Sequence, residues 1–254
     1  MKKVRYYSSY DQDFVQTRDQ DCQVPPDYRW VRHDLPYRVL SGLIYGVAIA
    51  FSALYCRLFL HIRFQNSKIV KEGRKSGAFI YCNHTQPLGD VFTPALPCLP
   101  GRIYTVVSPA NLAIPVIGKI LPYLGALPIP NSLRGMKEFH EAIEYRVNQG
   151  KYVTIYPEAH VWEYYTGIRP FSEISFKYPV KFKKPVYCMT STYQQRRIGK
   201  RPRCTVYVDG PFYADESLSP KAQALKLREQ VYECMVQRSK ASNCQYIRYV
   251  QKTE

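Results

Sequence analysis

None of the eight cysteines, at positions 22, 56, 82, 98, 188, 204, 234 and 244, stands within two to four residues of another, so the ligand spacing of a zinc site is absent. Scattered singly, with Cys82, Cys188 and Cys204 inside apolar runs, they read as reduced packing residues of a cytosolic compartment. There is no arginine-rich tract and no aromatic RNP motif, so no nucleic-acid partner is expected. No internal repeat is visible, which sets aside solenoids. The first apolar segment begins only at Val39, too far along the chain for a cleaved secretory signal. Acidic residues are also scarce: Asp and Glu number 20 against 36 Lys and Arg among 254 residues, a formal net charge of +16. Such a balance attracts polyanions, and with nucleic-acid motifs missing it points to an anionic membrane surface. Nothing implies a metal or an organic cofactor.

What is present centres on AFIYCNHTQPLGDVFTPA, residues 78–95. Ala78 to Cys82 is too short for an ordinary helix, and its aromatic and branched content fits a buried strand. Asn83 and His84 then stand at its C-terminal end. Five residues separate His84 from Asp90, with Pro87 and Gly89 among them to turn the backbone. A His oriented by an Asp is a general base near neutral pH. The same pair also fits a solvated His and a helix-capping Asp. Cys82 beside it, in an apolar run, reads as inert packing rather than a nucleophile.

A second tip of the same kind follows. Lys151 to Pro157 alternates as a strand and runs into Glu158, Ala159, His160, Val161 and Trp162. Open α/β sheets place ligands at such C-terminal strand edges. Capping the next segment is the structural alternative for Glu158.

These blocks, NHTQPLGD and YPEAHVW, resemble those of the PlsC-like family of glycerolipid acyltransferases, whose first block is Asn-His, four residues, Asp, and whose third is Phe-Pro-Glu-Gly-Thr-Arg. Residues 108–132 look like the family's second block, and Arg169, Pro170, Phe171 and residues 185–190 are similar to its last segments, so order and spacing hold from about Ala78 to Thr190. The resemblance implies acyl transfer from a thioester of coenzyme A or acyl carrier protein to a lysophospholipid hydroxyl, in phospholipid biosynthesis. His84 and Asp90 would be catalytic, with Asn83 and Glu158 in the acceptor site. The sequence departs from the family in its longer His-Asp spacing, in Ala159 for Gly and in Val161 for Arg. Arg134, at an expected helix start, and Arg169 are therefore the candidates for the acceptor's phosphate. An inactive, lipid-binding relative is the alternative.

The expected architecture is α/β: a single mixed-sheet domain flanked by helices, residues 63–254, after a polar extension, 1–38, and a membrane-associated helical segment, 39–62. Val39 to Cys56 carries no charge and approaches the length of a membrane span. Arg57, Arg63, Lys68, Lys71, Arg74 and Lys75 outnumber Arg29, Arg32 and Arg38, which puts the domain on the cytoplasmic side. Trp162, Tyr164, Tyr165 and Phe171 offer an acyl-chain groove, interfacial anchors or core packing. Further strands are expected at 103–107, 126–129 and 204–208, with helices over 115–121, from Ser132 to about Val147, and from Ser219 to about Val236.

Overall fold

Ala78–Cys82 is a strand whose five residues are all buried, as a run apolar on both faces requires. Phe79 and Tyr81 join one core cluster, while Ala78, Ile80 and Cys82 join another on the opposite face. That alternation makes it the central strand of a layered domain. The computed structural model describes residues 3–15, 21–86, 89–197, 199 and 201–252; Pro87 and Lys200 lie outside these.

In chain order the elements are β1 (Lys3–Tyr7), α1 (Leu35–Leu58), β2 (Arg63–Gln65), β3 (Ala78–Cys82), β4 (Ile103–Val107), α2 (Ile117–Leu124), β5 (Ala126–Pro128), α3 (Leu133–Asn148), β6 (Tyr152–Ile155), α4 (Lys177–Phe182), β7 (Val186–Gln194), β8 (Arg203–Phe212), α5 (Pro220–Ser239) and β9 (Ile247–Gln251). Seven strands form one mixed sheet in the order β2-β8-β7-β3-β6-β4-β5. β7, β3, β6, β4 and β5 run parallel, whereas β8 is antiparallel to β7 and carries β2 parallel to itself. Both edge strands are three residues long, which limits the unpaired backbone they expose.

α3 and α5 cover one face. Phe139, Ile143 and Val147 of α3 recur at helical spacing and are buried, as are Ala224, Leu227, Val231 and Met235 of α5. Ser132 and Ser219 cap them, each hydroxyl accepting from a backbone N–H three residues on. The other face packs against Val70, Cys98 and, from α1, Ile49.

Two elements differ from the sequence reading. The apolar helix starts at Leu35, because Asp34 caps it through Tyr37 N at 3.0 Å and Pro36 suits a first turn. α2 does not stop before Pro122; the proline sits in its last turn, where it forfeits only the bond to Gly118 O, and Gly125 at φ 96° ends the helix. The polar N-terminal segment is built into the domain: β1 pairs in parallel with β9, and Trp30 Nε1 donates to Pro128 O at 2.9 Å.

The face of α5 sets a stability contrast. Leu227→Ala should lower the unfolding free energy by about 3 kcal/mol, and Leu225→Ala, on the exposed side, by under about 0.5 kcal/mol. Denaturant titration of the extracted protein followed by tryptophan fluorescence checks both.

Candidate active site

β3 and β6 are neighbours in register, Ile80 opposite Thr154 and Tyr81 opposite Ile155, so their polar tips emerge side by side. His84 follows β3, and its Nδ1 lies 2.7 Å from Asp90 Oδ2. The same carboxylate oxygen accepts from Gln86 N at 2.9 Å, which closes the loop on itself. Asp90 is buried while the imidazole is partly exposed, and Nδ1 is the ring nitrogen that Asp90 engages. Tyr156 lies against the imidazole at 4.4 Å between ring centroids and donates through Oη to Asp90 O. Burial pushes its phenol well above the ordinary range, so it remains a neutral donor.

Glu158 is completely enclosed. Its Oε2 accepts from His84 N at 3.0 Å and from Arg169 Nη2 at 3.3 Å, and its Oε1 accepts from Arg169 N at 2.8 Å. Two further backbone bonds join the blocks: Trp162 N donates to His84 O at 3.0 Å and Tyr164 N to Thr85 O at 2.8 Å. Arg169 is equally buried, with Nη1 on Tyr10 O and Nη2 also on His160 O. Its guanidinium lies over the Trp162 ring at 4.9 Å.

The structure thus brings five of the named residues together and holds three of them differently from the expected acceptor contacts. Asn83 exchanges both amide bonds with Ser191 of β7, at 3.1 and 2.8 Å, and Glu158 spends both oxygens inside the protein. Arg169 stands behind Glu158 rather than open to a phosphate. Arg134 is 86% exposed and pairs with Glu138 at 3.1 Å. It follows β5 at the same sheet edge, three strands from β3 and so about 14 Å away laterally. Trp162 lines no groove: it is fully buried among Tyr7, Tyr10, Phe14, Tyr165 and Tyr249. Tyr156 escaped the sequence reading because it looks like a strand residue; its place immediately before the Pro157-Glu158 tip was the available signal.

A model of the family described as Acyltransferase matches residues 61–192, more than half of the chain. The chain belongs to the acyltransferase family. Among solved structures, the acyltransferase is similar to the 1-acyl-sn-glycerophosphate (LPA) acyltransferase PlsC from Thermotoga maritima, at TM-score 0.55 and 16% identity over 85% of this chain and 86% of that one, a likeness of fold. No curated protein matches the sequence. A PlsC-like fold accounts for the architecture found here: a central sheet flanked by helices with an apolar helix ahead of it.

Among the described residues of the acyltransferase one cluster has metal-ligating side chains, Cys188, Asp209 and Cys234. Both Asp209 oxygens already accept from Arg238, at 2.9 and 2.6 Å, so the group is occupied as an ion pair. Cys82, next to His84, is buried and its thiol is pushed well above the ordinary range, first by burial and then by Asp90. At neutral pH, iodoacetamide should modify Cys82 at least about tenfold more slowly than the partly exposed Cys22, as peptide mass spectrometry of the folded protein would show.

The Glu158 turn carries a measurable strain. Ala159 takes the place of a glycine in the resembling block and adopts φ 62°, the left-handed region. Ala159→Gly should therefore stabilise the protein by about 0.5–1 kcal/mol, the relieved strain exceeding the added unfolded-state entropy. A thermal melt reads this as a midpoint raised by a few degrees.

Proposed function

We propose that the protein transfers a fatty acyl group from an acyl thioester to a hydroxyl of a lysophospholipid such as 1-acyl-glycerol-3-phosphate, in phospholipid biosynthesis. The observation that carries this is the 2.7 Å His84–Asp90 pair at the C-terminal edge of the central strand of an acyltransferase-family chain. Asp90 accepts from Nδ1–H and fixes the tautomer, leaving Nε2 as the base. Nε2 takes the acceptor's hydroxyl proton as that oxygen bonds to the thioester carbonyl carbon. Collapse of the tetrahedral adduct breaks the C–S bond, and the leaving thiolate takes the proton back from the imidazolium. No acyl-enzyme is needed, consistent with the buried, protonated state of Cys82.

In this reading Asn83, Glu158 and Arg169 position rather than touch the acceptor: they hold the backbone on either side of His84. Arg134, exposed on the same sheet edge, is the candidate contact for the acceptor's phosphate.

The membrane is the source of the acceptor. α1 turns Leu43, Val47, Phe51 and Leu54 outward, more than half exposed, and Val116 and Ile117 of the adjoining segment extend the apolar surface. Its other face is fastened to the domain: Ser41 Oγ donates to Tyr123 O at 2.7 Å and Ile103 N to Tyr45 Oη at 3.2 Å. A helix tied along its length to a basic domain supports a seat in the interface, on the cytoplasmic side. Val161, where the resembling block has Arg, favours the second reading, a relative that binds lipid without turnover.

Transfer from a labelled long-chain thioester to lysophosphatidic acid separates the two. His84→Ala should reduce the rate by about 10²–10⁴-fold with the fold intact. Equal rates in the two proteins would remove His84 from the chemistry, and a folded wild type silent toward a panel of lyso-lipids would favour binding without turnover.

A further inference from the structure

A cleft of about 1060 Å³ lies between the C-terminal end of α1, the start of β2 and the β7–β8 connection. Arg57, Arg63, Arg196, Arg197 and Arg203 line it, together with His61, and among the described residues no carboxylate does. Among the described residues none of the five guanidinium groups is paired with an acid. The Nε of Arg203 is buried and finds no hydrogen-bond partner among them. Five like charges facing one concavity repel one another, and a bound polyanion would relieve that repulsion.

The topology places this cleft beside the active site. Arg196 and Arg197 follow the C-terminal end of β7, Arg203 opens β8 opposite Gln194, and Arg63 opens β2 alongside β8. Because β8 and β2 run against β7, all three points fall on the edge where β3 delivers His84. Only β7 stands between β3 and β8, a lateral distance of about 10 Å. The walls are continuous: Leu60, just beyond α1, lies against Gly89 in the His84–Asp90 loop, and Leu96 lines the cleft directly after the helical turn Thr93–Ala95, whose Thr93 hydroxyl bonds Gly89 O at 2.7 Å.

We propose that this cleft binds the phosphate groups of a coenzyme A thioester, the donor of the reaction proposed above, on which this assignment rests. Charge selects that donor. A nucleotide with a pyrophosphate and a phosphomonoester carries about four negative charges at neutral pH, against about two for a lysophosphatidate headgroup and about one for a carrier protein's phosphodiester. Planar guanidinium groups suit several phosphates at once by bidentate bonding. The thioester end of the flexible pantetheine arm then reaches past β7 to Nε2 of His84, while an acceptor enters from the β6-β4-β5 side.

Calorimetric titration of the detergent-extracted full chain with unacylated coenzyme A tests this directly. Wild type should bind, more weakly as salt rises. The double variant Arg196→Ala/Arg197→Ala, both positions in the loop beyond β7, should bind at least tenfold more weakly with an unchanged melting midpoint. The double variant Lys137→Ala/Lys181→Ala, which removes the same charge from α3 and α4 on the opposite face, should bind like wild type. Equal affinity in wild type and the arginine variant overturns the proposal. So does loss of affinity for lysophosphatidic acid, acyl carrier protein or anionic vesicles while coenzyme A binding stays intact. Coenzyme A bound through these arginines in a protein that transfers no acyl group would uphold the cleft and sink the proposed reaction. Transfer from a thioester without measurable coenzyme A binding would do the reverse.

Discussion

The buried carboxylate of Glu158 is the constraint on which the site depends. It receives three N–H donors, two from Arg169 and one from the backbone of His84, and so ties the tip of β6 to the tip of β3. An enclosed carboxylate with no cation beside it would neutralise itself or unfold its surroundings. Removing one partner of such a pair costs about 3–5 kcal/mol, because the other is left buried and charged. The imidazole is therefore aimed from two sides: Asp90 holds the ring, and Glu158 holds the main chain that carries it.

That arrangement propagates outward. Arg169 brings more N–H groups into the interior than Glu158 alone can satisfy, and further acceptors come from the carbonyls of His160 and Tyr10. Tyr10 belongs to the N-terminal segment, which is fixed there by β1 pairing with β9 and by Trp162 Nε1 donating to Gln12 O at 2.8 Å. Tyr249 of β9 stacks on Trp162. The two ends of the chain thus close over the buried pair and keep water from it. Low local polarity in turn strengthens each charge-assisted bond within.

Local patterns were legible in the sequence where one element settles them. The strand at 78–82, the Ser132 cap and the buried stripe of α5 follow from residue type and spacing, and the His84–Asp90 pair follows from a loop short enough to fold back. Contacts between distant segments were not legible. Asn83 reads as a polar tip residue, and only the β3–β7 register shows that its amide is committed to Ser191. Arg169 reads as a free cation eleven positions after Glu158, and only folding reveals it as the buried partner. β2 and β5, three residues each, carry too little pattern to be called from sequence with the right bounds.

The basic residues show the same limit and give the charge its meaning. Arg57 ends the apolar helix and Arg63 follows it, while Arg196, Arg197 and Arg203 lie some 130 positions later, so along the chain the first pair reads as a marker of membrane topology and the second cluster as a solvated loop or a face toward anionic headgroups, with nothing to join them. The parallel pairing of β2 with β8, Arg63 opposite Thr205, brings them to one edge. Because β7 and β8 meet at that edge through their connection, the arginines concentrate on the β7-β8-β2 side of His84, while Arg134 stands on the β5 side. A net charge of +16 spread evenly would only attract a membrane; in the reaction proposed above, arginines standing on two sides of His84 would bring two anionic substrates to Nε2 from opposite directions.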